Sequence, residues 1–131
     1  ELAKQLINDK NIENIQFLGN TQDVEKELCH SDLFILPSKT ESFGLAALEA
    51  MASKVVVISS NSGGLPEVNI HGETGFLSKY NDIDKMVEYA ESVLNDEDKL
   101  TVMKEKAFLR AQKFDINKII YSYEQIYKSV I

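Results

Sequence analysis

Short apolar runs alternate with helical patterns along the first two thirds of the chain. Each run ends at turn-forming residues, which predicts four strands: Ile15–Leu18, Leu33–Leu36, Val55–Ile58 and Phe76–Leu77. The second and third runs are apolar at every position, as in parallel strands that helices cover on both faces. Helical patterns fill the segments between the runs, so we predict a doubly wound α/β layer built on a parallel sheet.

Helical spacing dominates the last third of the chain. Asp82, Asp96 and Asp115 are each placed to cap a helix. Asp82-Ile83-Asp84 and Asp96-Glu97-Asp98 contain a D-x-D pattern, but acids at a helix start stabilise its dipole, and we interpret both as caps. The last helix has a wide apolar stripe that must be buried against something: Ile116, Ile119, Ile120, Tyr123, Ile126, Tyr127 and Val130.

The candidate chemistry lies in a strand–loop–helix unit that follows Leu33–Leu36. Pro37 ends the strand because it has no N–H for a ladder, and a helix is predicted from about Gly44. In an open parallel sheet, such a loop lies at the carboxyl end of a strand, where ligands bind. The free N–H groups of the first helical turn favour phosphate.

Two acids, Glu41 and Glu49, mark the two ends of this loop and the first helical turns. A phosphate would repel them, so they are better suited to accept hydrogen bonds from sugar or ribose hydroxyls. The spacing alone also fits an ordinary helix start, with Ser42 as N-cap and Glu49 on a solvated face. Gly63-Gly64 follows the next strand, and it is either a second loop that approaches a ligand closely or a simple turn.

Composition narrows the possible partners and compartments. The chain has 131 residues, which is one domain, and its net charge is −7. Nucleic acid and anionic membranes are therefore unexpected partners, and no apolar run is long enough to span a membrane. The single Cys29 suggests a reduced, cytoplasmic protein. His30 and His71 lack partners at metal spacing, so we expect neither metal nor cofactor.

Five ordered blocks resemble one enzyme family. Glu41–Glu49 resembles the E-x7-E motif of retaining glycosyltransferases of the GT-B fold, the group 1 or family 4 class. The other similar blocks are Phe17–Gly19, Ser31–Ser38, Gly63–Val68 and His71–Leu77. The resemblance covers nearly the whole chain and implies the carboxy-terminal part of a nucleotide-sugar-binding domain. That part is a partial Rossmann-like doubly wound parallel sheet followed by helices. Since the chain opens inside a helix and without Met, we expect a fragment of a longer protein.

The resemblance also implies residue roles. Glu41 would be catalytic, lying near the donor sugar and supporting charge at the reacting centre, and Glu49 would bind the ribose hydroxyls. Backbone N–H groups would contact sugar hydroxyls and diphosphate at Ser42, Phe43, Gly44 and Leu45.

Three further residues would complete the sugar-donor site of such a family member. Gln16 would meet the nucleobase through its backbone. Gly63 and Gly64 would line the sugar or phosphate side. The family reaction retains anomeric configuration, and the departing diphosphate accepts the acceptor's proton. Stabilisation of the diphosphate is then the main catalytic contribution.

Within the family, Glu67–Gly72 is most similar to the transferases of bacillithiol biosynthesis. These bacterial enzymes move N-acetylglucosamine from UDP to L-malate. Two alternatives stay open: a GT-B transferase with a lipid or polysaccharide acceptor, and a non-catalytic α/β interaction domain.

Two departures from the family pattern matter. Lys54-Val55-Val56 replaces the usual Gly-x-Pro after the motif helix, which predicts a local difference in stability. The Arg and Lys that bind the donor diphosphate have no counterpart here, and the acceptor site belongs to an amino-terminal domain. We therefore expect this chain alone to be inactive and to need that domain as its partner. An unpaired sheet edge would also invite pairing between copies.

Overall fold

The computed structural model describes residues 2–130. Its strands are β1 (Leu33–Leu36), β2 (Val56–Ser60) and β3 (Gly75–Ser78). Its helices are α1 (Leu2–Asp9), α2 (Val24–Cys29), α3 (Leu45–Ala52), α4 (Leu65–Val68), α5 (Ile83–Leu94), α6 (Glu97–Ala111) and α7 (Ile116–Val130), with a 3₁₀ turn at Gln112–Phe114 between the last two.

The three strands form one parallel sheet in the order β1-β2-β3. Ile58 in β2 lies opposite Ile35 in β1 and opposite Phe76 in β3. All of β2 is buried, because apolar clusters cover both sides of it. One cluster contains Val57 with α3, α4 and the end of α6, and the other contains Ile58 with α5 and the first half of α6. The predicted α/β layer is confirmed.

The strand predicted at Ile15–Leu18 is wrong. These residues form no strand, and Ile15, Phe17 and Leu18 are exposed. A β-strand is defined by its ladder to a neighbour, and within residues 2–130 no strand lies beside this segment. The Lys4 ammonium does lie over the Phe17 ring, 5.6 Å from its centre, so α1 packs near the segment.

Two other strand predictions change in detail. β2 continues through Ser59 and Ser60, which the sequence placed in a loop, because Ser59 pairs with Leu36 and Leu77 and Ser60 pairs with Ser78. β1 lies at an edge of the sheet, and Ile35 is half exposed, so the helices cover one of its faces only in part. The pairing between copies that was expected at a free edge stays a prediction.

The predicted caps are confirmed. The Asp82 carboxylate accepts a hydrogen bond from the Lys85 N–H at 3.2 Å, and the Asp96 carboxylate accepts one from the Lys99 N–H at 3.0 Å. Asp115 accepts one from the Asn117 N–H at 2.8 Å. The first Asp of each D-x-D pattern is thus the cap of a helix.

The apolar stripe of α7 is not buried within the described residues. No residue of α7 is buried, and most of its large apolar side chains are exposed. The burial predicted for this stripe therefore has no partner among residues 2–130. Each helix in that range is too short or too polar to cross a membrane.

Lys54 ends α3 in the conformation that glycine would supply. Its φ is 59°, in the left-handed region, which costs an L-residue about 1–2 kcal/mol. The Lys54 ammonium lies 2.9 Å from the Glu105 carboxylate and 5.0 Å from the centre of the Phe108 ring. The pair with Glu105 is half exposed, so it offsets at most about 1 kcal/mol.

This strain can be isolated with two substitutions at one position. Lys54→Gly and Lys54→Ala remove the same contacts to Glu105 and Phe108, but only glycine relieves the left-handed backbone. We expect the Lys54→Gly protein to be more stable than the Lys54→Ala protein by about 1 kcal/mol, measured by urea unfolding. Equal stability of the two variants would show that Lys54 is unstrained.

Candidate functional site

Two loops lie against each other where β1 and β2 end. The first, the motif loop, comprises residues 37–44 after β1. The second, the glycine loop, comprises residues 61–64 after β2. The Gly64 N–H donates a hydrogen bond to the Ser42 carbonyl at 3.2 Å, and the Asn61 N–H donates to the Ser78 carbonyl of β3 at 2.7 Å. The parallel sheet therefore brings the predicted site segments to one edge.

The contact between the two loops requires glycine at both positions of the pair. A Cβ at Gly63 would overlap the Glu41 carbonyl group, and a Cβ at Gly64 would lie 2.8 Å from the Ser42 carbonyl oxygen. Gly63 also has a φ of 55°, which L-residues with a side chain rarely adopt. The close approach of the backbone that the two glycines permit is made to the motif loop. A ligand-lining role for the two glycines stays a prediction.

Serine hydroxyls hold the start of the motif loop. The Ser62 hydroxyl donates a hydrogen bond to the Ser38 carbonyl at 3.0 Å, and the Ser60 hydroxyl donates to the same carbonyl. The two hydroxyl oxygens are 3.1 Å apart. The sequence showed only a serine-rich turn here, and nothing in it indicated that both hydroxyls share one carbonyl of the neighbouring loop.

Helix α3 begins where the sequence predicted. Gly44 is its N-cap, with a φ of 93°, and the Leu48 N–H donates to the Gly44 carbonyl at 3.0 Å. Ser42 is therefore not the N-cap, although the interpretation of this segment as an ordinary helix start placed the cap there. Since the first N–H groups of a helix have no acceptor within it, the amides after Gly44 are available at the end of the motif loop.

The two acids have different surroundings. Glu41 is partly buried in the motif loop, whereas Glu49 is exposed on α3. Within residues 2–130, neither carboxylate forms a salt bridge, so both remain available as acceptors. In the same range, no group of three acids, histidines or cysteines is placed to hold a metal ion.

Two clefts adjoin Glu49. One has a volume of about 430 Å³ and is also lined by Gln22, Val24, Glu25, Leu28, Ala52 and Ser53. The other, of about 350 Å³, lies between α3 and the end of α6 and is mostly apolar. Glu41 lines neither cleft. Gln16 lies outside these clefts, exposed in the segment before α2.

A buried polar network, which the sequence reasoning missed, holds α4 against the sheet. The Asn69 amide nitrogen donates to the carbonyls of Val57 at 3.1 Å and Phe76 at 3.2 Å. The Thr74 hydroxyl donates to the Asn69 side-chain oxygen at 2.9 Å. A lone Asn after a short helix looks like a turn residue, and only the fold reveals its two strand partners.

The sheet edge, the capped helix and the paired loops agree with the family to which residues 1–110 match, Glycosyl transferases group 1. The chain belongs to this family of glycosyltransferases.

Particular relatives refine this assignment. The chain is 40% identical over 129 residues to N-acetyl-alpha-D-glucosaminyl L-malate synthase of Bacillus anthracis. The aligned residues are 97% of this chain and 34% of that enzyme. It superposes on HepE of Anabaena in complex with UDP with a TM-score of 0.91 and 26% identity, over 98% of this chain and 36% of HepE. It superposes on sucrose-phosphate synthase of Thermosynechococcus elongatus with a TM-score of 0.87 and 26% identity, over 98% of this chain and 33% of that enzyme. The chain thus spans about a third of the length of the relatives it matches.

Alanine substitutions at two glycines test the loop contact. Gly63 and Gly72 both have positive φ, but a Cβ at Gly72 would meet no atom within 4 Å. We expect Gly72→Ala to lower the free energy of unfolding by about 1 kcal/mol, from backbone strain alone. Gly63→Ala should cost at least about 2 kcal/mol more, because the two loops must separate. Thermal unfolding of both variants measures this, and equal losses would contradict the backbone contact.

Proposed function

We propose that this chain is the carboxy-terminal, sugar-donor-binding part of a retaining GT-B glycosyltransferase. We further propose that the whole enzyme transfers N-acetylglucosamine from UDP to L-malate. The observation that carries the proposal is the 40% identity to the Bacillus anthracis malate synthase over 97% of this chain. Paired loops at the carboxyl edge of a parallel sheet, with free helix amides, support the general class.

Helix geometry suits a nucleotide diphosphate at α3. The amides of residues 42–45 would contact the diphosphate and the sugar hydroxyls, helped by the positive end of the helix dipole. Glu49 follows Leu45 by four residues and so lies on the same face, about 6 Å further along the helix. A carboxylate at that distance from the phosphate amides is suitably placed for ribose hydroxyls, and the backbone of Gln16 would meet the base.

Glu41 has the catalytic role in this proposal. Its backbone is fixed by Gly63, and its carboxylate forms no salt bridge within residues 2–130. Placed near the donor sugar, it would stabilise the positive charge that develops at the reacting carbon. The departing diphosphate would take the acceptor's proton. Stabilising the negative charge of the diphosphate would then contribute more to catalysis than Glu41 does.

The charge of the chain indicates what the rest of the enzyme must supply. A net charge of −7 opposes a nucleotide sugar, which carries a charged diphosphate. Local amides can bind phosphate despite this, but we propose that basic groups elsewhere in the whole enzyme complete the site. The acceptor would bind to an amino-terminal domain. This chain by itself would then bind the nucleotide sugar weakly or not at all and would be inactive.

Calorimetric titration of the full-length enzyme with UDP-N-acetylglucosamine tests this function. Removing a ribose acceptor by Glu49→Ala should weaken binding by about 1–3 kcal/mol. Glu91→Ala removes the same charge from an exposed position on α5 and should leave binding unchanged. If the wild type binds and Glu49→Ala binds equally well, Glu49 does not bind the ribose. If the wild type binds only other nucleotide sugars, the N-acetylglucosamine assignment is wrong.

Turnover with L-malate separates the catalytic acid from the binding acid. Glu41→Gln keeps the size of the side chain but removes its charge, so kcat should fall about 100-fold while the donor Kd changes little. Glu73→Gln, at an exposed turn before β3, is the matched control. Normal turnover by Glu41→Gln would exclude the catalytic role. Wild-type turnover with a lipid or polysaccharide acceptor in place of malate would correct the acceptor class.

A further inference from the structure

We infer that Arg110 is a positioning residue for the sugar-donor site, an inference that rests on the proposed function. Arg110 lies near the end of α6 and is partly buried. Its Nε donates a hydrogen bond to the Val68 carbonyl at 3.2 Å, and the other end of the guanidinium donates to the Glu67 carbonyl. One side chain thus binds two carbonyls at the end of α4.

The same guanidinium connects to the motif loop through two aromatic rings. Its central carbon lies 5.1 Å from the centre of the Phe114 ring. Phe114 in turn meets Phe43 edge to face, with ring centres 5.8 Å apart and an angle of 71° between the planes. Phe43 is one of the residues whose backbone amide is proposed to contact the sugar donor.

These contacts connect both ends of α4 to the motif loop. Gly64, just before α4, donates its N–H to Ser42, so the start of α4 is held to the motif loop by the backbone. Its end is held to the same loop by Arg110, Phe114 and Phe43. Losing Arg110 would release the end of α4 and remove one contact of Phe114, the ring that packs on Phe43, so the amides beside Phe43 would be held less firmly.

Lysine cannot replace Arg110 here. The planar guanidinium presents several N–H groups in a fixed fork and stacks on an aromatic ring at the same time, whereas an ammonium is a single compact charge. Arg110 touches none of the groups proposed to react, so its effect should appear in the affinity for the sugar donor. A purely structural role would lower the melting temperature and the amount of active enzyme, but would leave the donor KM of the folded enzyme unchanged.

The test uses the full-length enzyme well below its melting temperature. Donor Kd by calorimetry with UDP-N-acetylglucosamine, donor KM and acceptor KM are measured for Arg110→Lys, Phe114→Leu and Phe114→Tyr. Lys113→Gln is the control, because Lys113 is exposed on the adjacent 3₁₀ turn. We expect Arg110→Lys and Phe114→Leu to raise the donor Kd and KM about tenfold, equivalent to about 1.4 kcal/mol, with the acceptor KM unchanged. Phe114→Tyr, which keeps the ring, should remain near wild type.

The outcomes separate this inference from the proposed function. A wild type that binds the nucleotide sugar, with unchanged donor Kd in Arg110→Lys and Phe114→Leu, overturns the positioning role alone. An equal change in Lys113→Gln also overturns it, because the effect would then follow from any substitution near the end of α6 and not from the contacts of Arg110 and Phe114. Failure of the wild type to bind any nucleotide sugar overturns both. If Arg110→Lys does not fold, the Phe114 pair decides the question.

Discussion

The candidate site depends on an excluded-volume constraint between two backbones. Glu41 and Ser42 of the motif loop occupy the space where side chains at Gly63 and Gly64 would otherwise lie. Gly44, the N-cap of α3, comes directly after the residues that make this contact. The contact also adjoins the start of α4, since Gly64 precedes that helix. The contact between the two loops therefore joins main chain to main chain, and side chains add to it from either side.

Different side chains hold the two ends of the motif loop. Ser60 and Ser62 hold its first half through the Ser38 carbonyl. Phe114 packs edge to face on Phe43 in its second half, and Arg110 packs on Phe114. The two hydrogen bonds to the Ser38 carbonyl are partly buried, so losing them would leave that carbonyl poorly paired and would lower stability. The exposed face of α3, including Glu49, stays free of such contacts and open to a ligand.

Sequence patterns predicted the features that depend on neighbouring residues. The start of α3 near Gly44 and the caps at Asp82 and Asp96 follow from local chemistry. The prediction at Ile15–Leu18 was wrong because a strand needs a partner, and a single segment does not reveal whether one lies beside it. The extension of β2 through Ser59 and Ser60 has the same origin: pairing with β1 and β3 outweighs the turn preference of serine. Arg110 was missed because its carbonyl partners lie 42 and 43 residues away in the sequence. Asn69 was missed because its partners in β2 and β3 come together only in the folded sheet.

The contact between the glycine loop and the motif loop also bears on how such sites diversify. Because Gly63 and Gly64 fit against the main chain of residues 41–43, neither loop has room to change shape independently of the other. A hybrid enzyme that received one loop from a relative with a different main-chain path would meet a steric conflict. The two loops would therefore have to be transferred together into such a hybrid. Substitution is easier at the side chains of Ser42 and Leu45, which are exposed and take no part in the contact between glycine and carbonyl.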